Sequence, residues 1–280
     1  MSVRPTNPNA SALTVAPFEF ESYGVRVRIQ SNQQEMVDEA EKVVRRSLLN
    51  RIKSVRHRKF DHLFELNRNK SGTHFLIQNG EKITSGGSKK KFFKYFDSII
   101  RVTIGEYALD RVFLHAGVVG WKGKAIVLPA DSFKGKSTLV AELVRNGAEY
   151  YSDDFAIFDN DGLVYPFPRT LSMRANEGKL RLYELTVEEL GGASGINPIP
   201  VGMVLLTEYK PDGTWRPKIL RPGRGVLEMI PYVLSFRNRP DFSLSVLNSI
   251  ASHAIITSGL RGSAESFAKT LLNFVDKHVV

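Results

Sequence analysis

Hydrophobic and polar positions change period several times along this chain, and each change marks an element. Val25-Arg26-Val27-Arg28-Ile29 alternates strictly, the pattern of a half-buried strand. From Met36 the apolar positions recur at Ala40, Val43, Val44 and Leu48, one face of a helix, with Asn32 as its expected N-cap and Glu35 three residues on. His62 to Leu66 and Thr73 to Ile77 return to strand character, and Asn79-Gly80 is expected to turn the second into Lys82-Ile83-Thr84. Gly86-Gly87-Ser88 reads as a linker or exposed loop. A helix follows, carrying Phe92, Phe93, Tyr95, Phe96, Ile99 and Ile100, aromatic positions expected in a core.

Two strands are predicted at Val112 to Trp121 and Lys124 to Pro129, joined by a tight turn at Lys122-Gly123. The next helix should stop at Asn146-Gly147, a C-terminal signal. One continuous strand is expected from Glu149 to Phe158, turned by Asn160-Asp161-Gly162 into Leu163-Val164-Tyr165. Further strands are expected at 202–208 and 218–220, and helices at 242–256 and 263–275. These elements suggest a mobile arm over 1–16, an α+β region over 17–87 and a larger domain over 88–280, with no internal repeat.

At 280 residues and 42% hydrophobic content the chain can fill a normal globular core. No apolar run reaches the length of a membrane span and the N-terminus lacks the apolar stretch of a secretion signal, so the cytoplasm is the expected location. The absence of cysteine excludes a disulfide framework, a thiolate zinc site and a cysteine nucleophile. The formal charge of +10 is unevenly placed: from Lys42 to Lys59 there are eight lysines and arginines and no carboxylate, and Lys89, Lys90, Lys91 and Lys94 form a second run. Such runs suit an acidic partner or form a solvated face. Arg51 to Arg58 lacks the interleaved aromatic residues of a single-strand stacking surface, which argues against nucleic acid.

The candidate chemistry begins at Ala130-Asp131-Ser132-Phe133-Lys134-Gly135-Lys136-Ser137, a near-match to the phosphate-binding pattern G-x-x-x-x-G-K-[ST] between a strand and a helix. Backbone N–H groups and the helix N-terminus would form an anion cradle over Asp131 to Thr138, with Lys136 on the outer phosphates and Ser137 on Mg²⁺. Ala130 stands where the pattern has glycine, and Phe133 where many such loops use glycine at positive φ. Lys134 supplies a further cation. Asp153 and Asp154 are expected on a strand beside the loop's own strand, and adjacent strand residues face opposite ways, so only a bend or strand end turns both toward one phosphate. His115, on the preceding strand, is placed to orient a phosphate or a base.

The succession Leu114-His115-Ala116, then Asp131-Ser132-x-x-Gly135-Lys136-Ser137, then Ser152-Asp153-Asp154 resembles HPr kinase/phosphorylase and the looser set of HPr-kinase-related proteins. Pro166 to Arg174 resembles the segment that follows the acidic pair in those relatives, and the similarity covers about residues 112 to 175. The resemblance implies an α/β (α+β) fold, a mixed-sheet nucleotide domain of the phosphoenolpyruvate-carboxykinase type after an α+β N-terminal region. It implies ATP, or another nucleoside triphosphate, with Mg²⁺. It also gives Lys136 the β- and γ-phosphates, Ser137 and Asp154 the metal, Asp153 the role of general base and His115 a place beside that base. Arg169 and Arg174 are candidate substrate clamps or surface arginines. The implied activity is phosphoryl transfer to a hydroxyl of a Ser-bearing or acidic peptide, a protein or a small molecule. The later signature of the reverse phosphorolysis reaction is not found, which argues against a bifunctional enzyme. The alternative is a non-catalytic nucleotide- or peptide-binding module whose phosphate loop Phe133 has remodelled, and a homo-oligomer is left open.

Overall fold

The computed structural model describes residues 15–55, 59–131, 135–176 and 180–280, so most of the expected arm, and Ser132, Phe133 and Lys134 of the expected phosphate-binding loop, lie outside the described residues. The chain is mixed α/β and divides into two compact units, Met1–Leu109 and Asp110–Val280.

In the first unit, β1 (Phe18–Ser22) and β2 (Val25–Gln30) alternate buried and half-buried positions, as period-two patterning requires when one face is covered. With the two-residue β3 (Lys53–Ser54), β4 (His62–Arg68), β5 (His74–Gln78) and β6 (Glu81–Ser85) they form a sheet in the order β3-β1-β2-β4-β5-β6. All neighbours are antiparallel except β2 and β4. Helices α1 (Gln34–Ser47) and α2 (Lys89–Tyr107) supply the covering layer. The turn expected at Asn79-Gly80 is present, both residues at positive φ.

Asn32 does not cap α1: its side chain donates to the carbonyl of Arg68 at 2.8 Å and accepts from the Arg68 N–H at 3.1 Å, tying the end of β2 to β4, while Gln33 occupies the cap position. The boundary expected at 87/88 lies at 109/110, because Phe92, Phe93, Phe96, Ile100 and Ile104 of α2 fill the core of the first unit. Ser47 of α1 also donates a buried hydrogen bond to Asp97 of α2, whose carboxylate pairs with Arg101 at 3.0 Å.

The second unit is built on β7 (Val112–Trp121) and β8 (Lys124–Pro129), antiparallel across the Lys122-Gly123 turn. α3 (Lys136–Arg145) leads into β9 (Glu149–Ser152), β10 (Phe155–Phe158) and β11 (Leu163–Tyr165). β12 (Leu171–Asn176) and β13 (Leu180–Leu185) form a separate hairpin. The long β14 (Ile199–Tyr209) is followed by the short edge strand β15 (Lys218–Ile219), α4 (Pro222–Met229), α5 (Pro240–His253), β16 (Ile255–Arg261) and α6 (Ala264–His278). The main sheet runs β11-β10-β7-β8-β14-β16-β15 with β9 also on β7, and β8, β14 and β16 are parallel.

Two apolar layers cover this sheet. α3 and α6 pack on one face over Ile126, Leu128, Met203 and Leu205. α4 and α5 pack on the other over Val127, Val204 and Ile256. The helix expected to continue to Ile256 ends at His253, and Ile255 instead opens β16, because the β-branched pair Ile255-Ile256 is taken into the parallel ladder with Met203 and Val204. Among the described residues no helix is long and apolar enough to cross a membrane.

Candidate functional site

The strand expected from Glu149 to Phe158 is broken at Asp153-Asp154, and the break is built by Ser152. Its buried hydroxyl accepts from the N–H groups of Asp154 and Phe155, each at 3.1 Å, a local turn that competes with the ladder. β9 and β10 then pair with successive stretches of one partner, β7, so the acidic pair lies opposite Ala116, whose N–H donates to the Asp154 carbonyl at 3.3 Å. This differs from the expected place beside β8. The far edge of β8 is occupied by parallel β14, so the chain leaving α3 joins the free edge of β7.

Across β7 lies the N-terminus of α3. Gly135, at φ 77°, is its N-cap, and Lys136 opens its first turn. The Lys136 side chain runs over Gly117: a Cβ there would stand 3.2 Å from Lys136 Cγ and 2.6 Å from Val140 Cγ2, so only glycine leaves the lysine this path. Lys136 Nζ reaches His115 Nε2 at 3.1 Å. A lysine ammonium has only donors, so the imidazole accepts at Nε2 and carries its proton on Nδ1. Burial lowers the Lys136 pKa to about 8, against the opposing charges of Asp153 and Asp131.

Asp153 accepts hydrogen bonds from the Ser137 hydroxyl and the Ser172 backbone N–H and faces the charge of Lys136, yet burial outweighs all three and raises its pKa to about 6. Its Oδ1 is buried with no hydrogen-bond partner among the described residues. Lys136, His115, Ser137 and Asp153 are thus brought together. Of the acidic pair, the carboxylate that meets Ser137 is that of Asp153. Asp131 is exposed at the end of β8 within electrostatic reach of Lys136, and Thr138 is exposed on the first turn of α3. Arg174 sits on the exposed face of β12, two residues beyond Ser172.

Two positioning residues had no motif to reveal them. Tyr150, 1% exposed, accepts from the Asp153 N–H and donates to the Arg169 carbonyl at 2.6 Å, holding the acidic bend against the segment that carries Arg169. Its hydroxyl is pushed well above the ordinary tyrosine range, chiefly by burial and then by the charge of Asp153. Arg261, 3% exposed at the end of β16, donates to the Gly135 carbonyl at 3.0 Å and to the Gly262 carbonyl at 3.2 Å. A buried guanidinium therefore braces the residue that caps α3. Only its place at the end of a strand that itself escaped prediction could have signalled it.

The donor set is all oxygen and nitrogen. No group of three or more His, Asp or Glu among the described residues is arranged to hold a metal alone. One hydroxyl and one carboxylate with an unsatisfied oxygen fit instead a hard ion that takes the rest of its shell from phosphate and water, the habit of Mg²⁺.

No family model and no curated protein matches the chain. Among solved structures it is similar to the HPr(Ser) kinase/phosphatase from Coxiella burnetii, at 12% identity and a TM-score of 0.30, over 59% of this chain and 89% of that one. Similarity of this degree assigns neither fold nor ligand.

Proposed function

We propose that the second unit is an ATP- and Mg²⁺-dependent kinase that transfers the γ-phosphoryl group to a hydroxyl, of serine type, on a peptide, protein or small molecule. The observation that carries this reading is the convergence of Lys136, Ser137, His115 and Asp153 at the N-terminus of α3, beside a bend that bears a second carboxylate. Phosphoryl transfer asks for clamps, charge neutralisation and a proton acceptor, and these residue types supply each. It is also the chemistry implied by the sequence resemblance to HPr kinases, together with their mixed-sheet nucleotide domain.

In this reading the nucleotide phosphates lie on the N–H groups at the start of α3, and Lys136 moves from His115 to the β- and γ-phosphates. The anion restores the proton that burial makes labile on Lys136. Ser137 and Asp153 would hold Mg²⁺, which supplies neutralisation of the phosphate oxygens. Asp154, next round the bend, is left to take the proton of the attacking hydroxyl. The bond formed is from the acceptor oxygen to the γ-phosphorus, and the bond broken is that from the γ-phosphorus to the bridging oxygen, which leaves with ADP. Arg169, held through its carbonyl by Tyr150, and Arg174, on β12, are the candidate clamps. Partial ion pairing of the Lys42 to Lys59 stretch, Lys42 with Glu39 and Arg45 with Glu41, weakens its case as a recruiting face for acidic acceptors.

Calorimetric titration with a non-hydrolysable ATP analogue and Mg²⁺ tests the site. Lys136→Ala should weaken binding by more than about tenfold, the loss of a partly buried charge-assisted contact. Asp154→Asn should leave that affinity in place and lower turnover by about a hundredfold or more, as for a general base. Wild-type affinity in Lys136→Ala would remove the assignment. Tight binding by the wild type without transfer to any hydroxyl would favour the non-catalytic module.

A further inference from the structure

The parallel strands β8 and β14 are neighbours, but the helices that follow them lie on opposite faces: α3 covers one side of the sheet and α4 and α5 the other. The chain therefore parts at the carboxyl ends of these strands and leaves a crevice, the place where open α/β sheets bind ligands. A cleft of about 460 Å³ lies there, bounded by Pro129, Ala130 and Asp131 after β8, by Leu206 to Glu208 of β14 and by Ser258 to Leu260 of β16. Tyr232 and Glu228 close its α4 side. One wall is thus the entrance of the phosphate loop, and Asp131 on that wall is within electrostatic reach of both Lys136 and the Tyr232 hydroxyl.

The lining is anionic although the chain as a whole carries +10. Asp131, Glu208 and Glu228 are its charged groups, and Thr207, Ser258 and Tyr232 add hydroxyls. Glu228 pairs with Arg224 at 2.5 Å, whereas Asp131 and Glu208 make no ion pair among the described residues. Burial raises the Tyr232 phenol, and the charges of Asp131 across the cleft and of Glu228 on its own side raise it further. Such a lining repels a polyanion and complements a cation. The nucleotide's phosphates belong on the α3 side of the loop, and the cleft on its other side suits a different molecule.

We infer that the crevice at the carboxyl ends of β8, β14 and β16 receives the phosphate acceptor, and that this acceptor is a basic peptide segment whose serine is flanked by lysine or arginine. The inference rests on the kinase reading for the reaction; the binding it claims is measurable without it. In that reaction the serine oxygen bonds to the γ-phosphorus, ADP departs and the serine proton passes to the acidic bend.

The test uses the full chain and two fluorescein-labelled nonapeptides with a central serine, one flanked by arginines and one by glutamates. Fluorescence anisotropy should give tighter binding of the basic peptide, with affinity reduced about fivefold by Glu208→Gln and less by Glu228→Gln, whose carboxylate is shared with Arg224. Glu188→Gln, an exposed carboxylate on another element, controls for overall charge and should change nothing. Equal or tighter binding of the acidic peptide overturns the inference, as does loss of basic-peptide binding in all three variants alike. Titration of the same samples with the ATP analogue separates the two readings. Basic-peptide binding that responds to Glu208 in a protein without nucleotide affinity upholds the cleft and removes the kinase; nucleotide binding with no preference between peptides does the reverse.

Discussion

Asp153 carries an opposition between stability and use. Its folded pKa of about 6 stands above the ordinary carboxyl value of 3.8, so the folded protein binds the proton more tightly than the unfolded chain. Stability is accordingly lost as pH rises from about 4 to about 6, and the deficit persists above that window. Asp153→Asn removes the charge and keeps the shape. In metal-free buffer its melting temperature should match that of the wild type near pH 4 and exceed it at pH 7 by the equivalent of about 2 to 3 kcal/mol. Equal melting temperatures at both pH values would show that the carboxylate is better solvated than its surroundings indicate. Lys136 has the mirror-image setting, a cation whose pKa burial brings to about 8, and the two are kept in place by residues of unlike legibility. Lys136, Ser137 and His115 announce themselves through a motif. Tyr150 does not, because a buried tyrosine in a strand reads as core until its hydroxyl is seen between the Asp153 N–H and the Arg169 carbonyl.

Strand β7 links the two halves of the site, and at Gly117 side chains of α3 lie directly against it. Gly117→Ala would set a methyl group 2.6 Å from Val140 Cγ2 and 3.2 Å from Lys136 Cγ, so either α3 lifts or the lysine leaves its path. A destabilisation of about 1 to 3 kcal/mol is expected in urea unfolding. Affinity for the ATP analogue should fall as well, while Gly123→Ala, at a turn with open space around the Cβ, should spare that affinity. Unchanged affinity in Gly117→Ala would mean that the lysine does not need this route. Turns of this kind are legible from sequence, as at Asn79-Gly80 and Lys122-Gly123, because their chemistry is local. The break between β9 and β10 is half legible: the need for a bend follows from two adjacent carboxylates and the Ser152 hydroxyl that makes it is local, but the pairing of both flanks with β7 is named by no local pattern. β16 is hidden for the same reason, since its apolar start continues the period of α5 and only pairing with β14 separates them.

At the level of the whole molecule, the chain holds two cores, and the division at 109/110 decides how it can be cut. A fragment of residues 110–280 keeps both apolar layers of the main sheet and should fold cooperatively and bind the ATP analogue like the full chain. A fragment of residues 88–280 carries α2 without the sheet that buries Phe92, Phe93, Phe96 and Ile100, and should aggregate at lower concentration in light scattering. Better behaviour of the longer fragment would show that α2 is needed by the second unit. The glycine pair before α2 suggested the earlier boundary because a loop and a domain border share the same composition; the apolar face of the helix, equally visible in sequence, does not say which core receives it. The arrangement of β8, β7 and β9 as three adjacent strands has a mechanical corollary. The strand that leads into α3 and the strand that ends at the acidic bend are separated by two interstrand spacings, about 10 Å of hydrogen-bonded sheet, so the separation of these two strand ends behaves as a ruler rather than a hinge. Whatever motion admits and releases ligands must therefore come from the segments around that ruler, and its two marks should stay in register while the rest of the site opens.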